Sequence, residues 1–124
     1  MKTIANIDSE VLAKFRKGCV IPAQPLALDA DRKFAPRYQR ALCRYYMDAG
    51  VGGIAVGVHS TQFEIRKKEI GLFEPVLKQT AGFIDEWSET TGRKILKVGG
   101  ICGKRSRLFM KRSLKPPAIT MPDC

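Results

Sequence analysis

Gly50-Val51-Gly52-Gly53-Ile54-Ala55-Val56-Gly57-Val58-His59-Ser60-Thr61-Gln62 reads as a helix end, a buried strand and a polar loop in immediate succession. The glycines at 50, 52 and 53 allow the backbone to leave a helix and approach its neighbours closely. Ile54 to Val58 is a short apolar run of the kind that forms a strand buried on both faces. His59, Ser60, Thr61 and Gln62 then emerge at its carboxyl end, where parallel α/β sheets place ligand groups. This stretch predicts an α/β fold and directs the search for a site to the loop after the strand.

Upstream of Gly50, Pro36 suits a first helical turn, and Tyr38, Ala41, Leu42, Tyr45 and Ala49 recur at spacings of three and four. The expectation is a helix over 36–49 with that stripe packed on a sheet, preceded by a leading helix at 7–15, a strand at 19–23 ended by Pro22, and a loop over 24–33. Downstream, Val76, Leu77, Thr80, Phe83, Ile84 and Trp87 mark the inward side of a second helix over 72–90. Pro75 fits only its first turn, Gly92 can stop it, and a strand resumes at 95–99. Strand, helix, strand, helix, strand is the rhythm of a parallel sheet with right-handed crossovers.

The chain has 124 residues, 44% of them hydrophobic, enough for one domain but about half the roughly 250 residues of a closed eight-fold barrel. Its formal net charge is +10, and the excess gathers near the end, where Lys104, Arg105, Arg107, Lys111, Arg112 and Lys115 face a single acid, Asp123. The cysteines at 19, 43, 102 and 124 lack the close pairing of a zinc site or a redox dithiol and read as isolated thiols. With no apolar secretion core near the amino terminus and no run of about 20 apolar residues, a cytoplasmic protein without a membrane partner is expected.

Three ordered segments carry a resemblance: residues 20–29 (VIPAQPLALD), 39–50 (QRALCRYYMDAG) and 52–64 (GGIAVGVHSTQFE). Together they resemble the dihydrodipicolinate synthase and N-acetylneuraminate lyase family, in a divergent branch, over roughly residues 10–103. The resemblance implies a TIM barrel whose complete members join a lysine of a later strand to an α-keto acid, usually pyruvate, as a Schiff base, and then make or cleave a carbon–carbon bond. It therefore implies an incomplete barrel with about three parallel strands over residues 1–103, followed by an irregular basic tail at 104–124. The tail breaks the barrel rhythm abruptly, as a shifted reading frame in a longer gene would.

In better-known members of that family the second strand ends in Gly-Thr-Thr-Gly-Glu, whose hydroxyls and amides hold the keto-acid carboxylate. Here Gly57 fits the first glycine, Val58 and His59 stand at the threonine positions, and Ser60 and Thr61 at the following two. The resemblance thus makes His59, Ser60 and Thr61 the carboxylate-binding candidates, while local loop capping is the alternative reading of Ser60 and Thr61. The Schiff-base lysine and relay tyrosine of the family fall on later strands that have no counterpart here. Lys67, Lys68, Lys104 and Lys111 all lie in basic runs, which give no apolar pocket to lower an amine pKa. No catalytic residue, metal or cofactor is therefore expected, and the isolated chain is expected to be inactive as a lyase.

His59 has no evident partner for acid–base work, Arg66, Lys67 and Lys68 read as a solvated run, and Tyr45 and Tyr46 read with Tyr38 as sheet-packing residues. Two other classes compete. A small basic nucleic-acid-binding protein would use the tail cations, although no groove-reading helix or aromatic platform accompanies them. An interaction protein would use the exposed edge of an unclosed barrel to self-associate or to capture a partner.

Overall fold

The computed structural model describes residues 7–101; the basic tail at 104–124, Cys102 and Cys124 lie outside the described residues. The element order is α1 (Ser9–Lys17), α2 (Pro36–Asp48), β1 (Gly53–Val56), α3 (Phe73–Thr91) and β2 (Leu96–Gly99). The two strands are parallel, with Gly53 opposite Leu96 and Val56 opposite Gly99. The result is an open, mixed α/β arrangement in which α2 and α3 pack against one another and against the sheet.

The first of the three expected strands is reduced to a single parallel bridge, Ala23 to Ala55. Residues 20–24 nevertheless run along β1: Val20 O accepts from Gly52 N–H at 2.9 Å, Pro22 O from Ala55 N–H at 3.0 Å, and Gln24 N–H donates to Ala55 O at 2.9 Å. Pro22 explains the missing rung. Continuing this register, the Gly53 carbonyl would need a donor from residue 22, and proline has no N–H. The spatial order is thus segment 20–24, β1, β2.

Other boundaries move slightly. The leading helix starts later than expected, because the Asp8 carboxylate accepts from the N–H groups of Glu10 (3.0 Å) and Val11 (3.4 Å) as its N-cap. Strand β1 ends at Val56 because Gly57 turns the chain at φ +72°. Helix α3 stops at Gly92, whose left-handed backbone (φ 70°) returns its N–H to Ser88 O.

The stripe expected on α2 is corrected. Tyr38 and Tyr45 are 63% and 69% exposed; the buried residues of the helix are Gln39, Cys43 and Met47, with Tyr46 half-buried beside them. Gln39 is the reason. Its side chain accepts from Ala27 N–H (2.7 Å) and donates to Pro25 O (3.0 Å), so a polar residue occupies the inward face by closing the hydrogen bonds of the preceding loop. On α3 the expected inward face holds, with Val76, Thr80, Ile84 and Trp87 buried and Leu77 and Phe83 packed beside them.

The sheet has apolar clusters on both sides. Ile54, Val56 and Ile95 join Cys43, Met47, Val76, Ile84 and Trp87 under the helices. Ala55, Leu96 and Val98 meet Val11, Cys19, Ile21 and Val58 on the other face. The burial of every residue of β1 is the signature of a strand covered on both sides.

Candidate functional site

The loop leaving β1 forms two short 3-10 turns, His59–Thr61 and Phe63–Arg66, joined by Gln62 at φ 77°. A positive φ at a residue with a side chain is locally strained and is held by its surroundings. This loop and Gly100, just past β2, lie together at the carboxyl ends of the two strands.

Arg66 makes the junction. Its Nη2 donates to the carbonyl of Gly57, immediately after β1, and to that of Gly100 at 3.0 Å. Its guanidinium lies over the rings of Phe73 (4.5 Å to the centroid) and Phe63 (5.1 Å). Nε and Nη1 are buried and have no hydrogen-bond partner. A cation is thereby fixed across two strand ends, with aromatic faces supplying part of its solvation. The sequence expectation placed Arg66 in a solvated run with Lys67 and Lys68. The structure separates it from them: Lys67 is exposed and pairs with Glu64, and Lys68 is exposed.

The three carboxylate candidates have different settings. Thr61 is fully buried and its hydroxyl donates to Gln24 O at 2.5 Å, tying this loop to the end of segment 20–24. Its hydroxyl hydrogen is committed to that bond. His59 and Ser60 are exposed, and the His59 ring meets Phe63 edge to face at 5.5 Å. The local geometry therefore joins the three parallel segments at their carboxyl ends through Thr61 and Arg66, and leaves His59 and Ser60 facing water.

Gly100 is part of the same construction. A Cβ there would collide with the Gly57 carbonyl and come within 3.0 Å of Val58. Only a glycine lets the two strand ends approach closely enough for one guanidinium to hold both.

The buried polar groups nearby belong to Gln24 and Cys43. Gln24 is fully buried, and both polar atoms of its side chain lack a partner at hydrogen-bond geometry. Burial pushes the Cys43 thiol up to about 11, an effect the adjacent Gln24 amide partly offsets. Such a thiol is a packing group rather than a nucleophile. Among the described residues, no group of three or more His, Cys, Asp or Glu side chains could hold a metal ion, and no helix is long and apolar enough to cross a membrane.

The chain matches no protein-family model, no curated protein and no solved structure.

Proposed function

We propose that this chain is the amino-terminal part of a Schiff-base-forming aldolase or lyase barrel, and that its strand-end loop contacts the carboxylate of an α-keto acid such as pyruvate. The observation that carries this reading is the Arg66 guanidinium held across the carboxyl ends of β1 and β2 by the same loop that exposes His59 and Ser60, with the Phe63 ring against both His59 and Arg66. A fixed positive charge behind exposed hydrogen-bonding side chains is a setting that favours a small anion. The family resemblance of residues 52–64 supplies the keto-acid chemistry.

In this reading the fragment orients a carboxylate and does no chemistry alone. The described lysines on this side of the molecule, Lys67 and Lys68, are exposed, and Lys67 pairs with Glu64, so neither occupies the apolar pocket that a Schiff-base lysine requires. Titrating the full chain with pyruvate while following the His59 and Ser60 resonances tests the binding. Saturable shifts that vanish in Ser60→Ala are expected, with acetate competing and glycerol silent. Borohydride treatment with pyruvate should leave the mass unchanged; a lysine adduct accompanied by turnover would overturn the inactive-fragment reading.

A second reading, self-association, is favoured by the apolar groups the open sheet leaves uncovered. Val20, Tyr38 and Tyr45 are 71%, 63% and 69% exposed.

A further inference from the structure

The outward face of α2 sets two kinds of side chain beside one another. Residues three and four apart on a helix are surface neighbours. Ala41 stands four residues after Arg37, three after Tyr38, three before Arg44 and four before Tyr45, so it is the small centre of a patch with these four around it, and all five are exposed. Arg37 and Arg44 share a row with Arg40 and Asp48 on the side toward α3. Tyr38 and Tyr45 form the other row, 63% and 69% exposed. The members of each pair are seven residues apart, close to two full turns, so an arginine row and a tyrosine row run side by side along about 10.5 Å of helix.

The fold does not use up the charges of this patch. Arg40 is paired with Glu86, but Arg37 and Arg44 belong to none of the ion pairs formed among the described residues. The one carboxylate of the helix is Asp48, at its far end, where it accepts from Trp87 Nε1–H at 2.9 Å. The Tyr45 ring meets the half-buried Tyr46 edge to face, with centroids 5.9 Å apart and planes at 64°. That contact steadies the ring while most of its surface stays open.

Exposed arginines alone suit any polyanion, and an acidic peptide would answer them while leaving the rings unused. A row of cations beside a row of aromatic faces suits a chain that carries a phosphate and a flat base in every unit. Rings can stack only on bases that are not already stacked in a pair, so a duplex would offer this face its phosphates and nothing more. The net charge of +10 favours the same class of partner from a distance.

We propose that this face of α2 binds single-stranded nucleic acid, with bases stacked on Tyr38 and Tyr45 and phosphates met by Arg37 and Arg44. The activity goes beyond the keto-acid reading and is independent of it, because none of these residues belongs to the loop after β1. The aromatic platform that the basic tail lacks in sequence is thus supplied by α2, within the described residues.

The test is fluorescence anisotropy of a labelled oligothymidylate, alone and in a duplex, titrated with the full chain over a range of salt. The single strand should bind more tightly than the duplex. Tyr38→Ala and Tyr45→Ala should each weaken single-strand binding at least about fivefold, while Tyr45→Phe, which keeps the ring, retains it. Arg37→Gln and Arg44→Gln should each lower the slope of log affinity against log salt by about 0.7, the value of one phosphate contact on a single strand. Far-UV circular dichroism verifies each variant, and the two members of each pair stand in for one another if one fails to fold. Absence of binding, equal affinity for the duplex, or binding that survives both tyrosine substitutions would overturn the proposal, the last by placing the contact on the tail cations. Sedimentation that shows assembly abolished by Tyr45→Ala, without oligonucleotide binding, would overturn it in favour of a second copy on this face.

Discussion

The Arg66 guanidinium donates to the Gly100 carbonyl at 3.0 Å, so a residue from the loop after the first strand holds the backbone just beyond the second. The same nitrogen also reaches Gly57, and these bonds fix the spacing of the strand ends where the keto-acid site is proposed. Charge-assisted bonds in a half-buried setting with aromatic cover are stronger than ordinary surface contacts.

Arg66→Ala should therefore destabilise the fold by about 2 kcal/mol, the scale of lost hydrogen bonds from a charged donor. Arg66→Lys should recover only part of this, because an ammonium cannot keep the planar stacking on Phe63 and Phe73. Urea denaturation of the three proteins compares them directly. Equal stabilities would mean that the guanidinium contributes nothing to holding the strand ends.

Gly100→Ala should act at the same place by a different mechanism. The added methyl group meets the Gly57 carbonyl, which is backbone and cannot rotate away, so the strand ends must separate. Overpacking of this kind costs about 1–3 kcal/mol. A parallel change at Gly82, where a Cβ meets nothing within 4 Å, is the control and should leave stability unchanged or raise it slightly. A melting temperature insensitive to Gly100→Ala would refute the close approach.

Gln39→Leu keeps the bulk of the side chain but removes both partners of the loop before α2. The Ala27 N–H loses its acceptor and the Pro25 carbonyl its donor, at a cost of about 2 kcal/mol. Hydrogen exchange at Ala27 should accelerate selectively. Unchanged protection there would show that the amide is not what orders the loop.

Cys43 predicts an alkaline limit to stability. Its folded-state value of about 11 lies above the ordinary 9.0, so between these values the unfolded chain gives up a proton that the folded one keeps. Stability from this group is full below pH 9.0, falls as pH rises toward about 11, and levels off above it. Cys43→Ala should flatten that alkaline decline in denaturation curves. Thiol reagents at neutral pH should spare Cys43 relative to the partly exposed Cys19; equal rates would contradict the burial.

A weaker electrostatic link joins the N-cap of α1 to the loop before β2. The Lys94 ammonium holds the Asp8 carboxyl below its ordinary 3.8, and Asp8 in turn raises Lys94. Both groups sit in water, so the contribution of Asp8 is lost only as pH falls through its lowered value.

Sequence periodicity alone determined the α/β character, two helices within a residue or two, the parallel run of two strands and the inward face of α3, because each of these depends on local spacing of apolar side chains. It also placed the polar loop at a strand end. What it did not determine depends on partners distant in the chain. Pro22 removed a rung whose loss is visible only once segment 20–24 lies beside Gly53. Gln39 took an inward position because of hydrogen bonds to Ala27 and Pro25, leaving Tyr38 and Tyr45 on an open flank. Arg66 left its basic run for the interior because the Gly57 and Gly100 carbonyls and two aromatic rings converge there. Apolar spacing is written into the chain, whereas the partner of a polar group is chosen only when the fold brings donor and acceptor together.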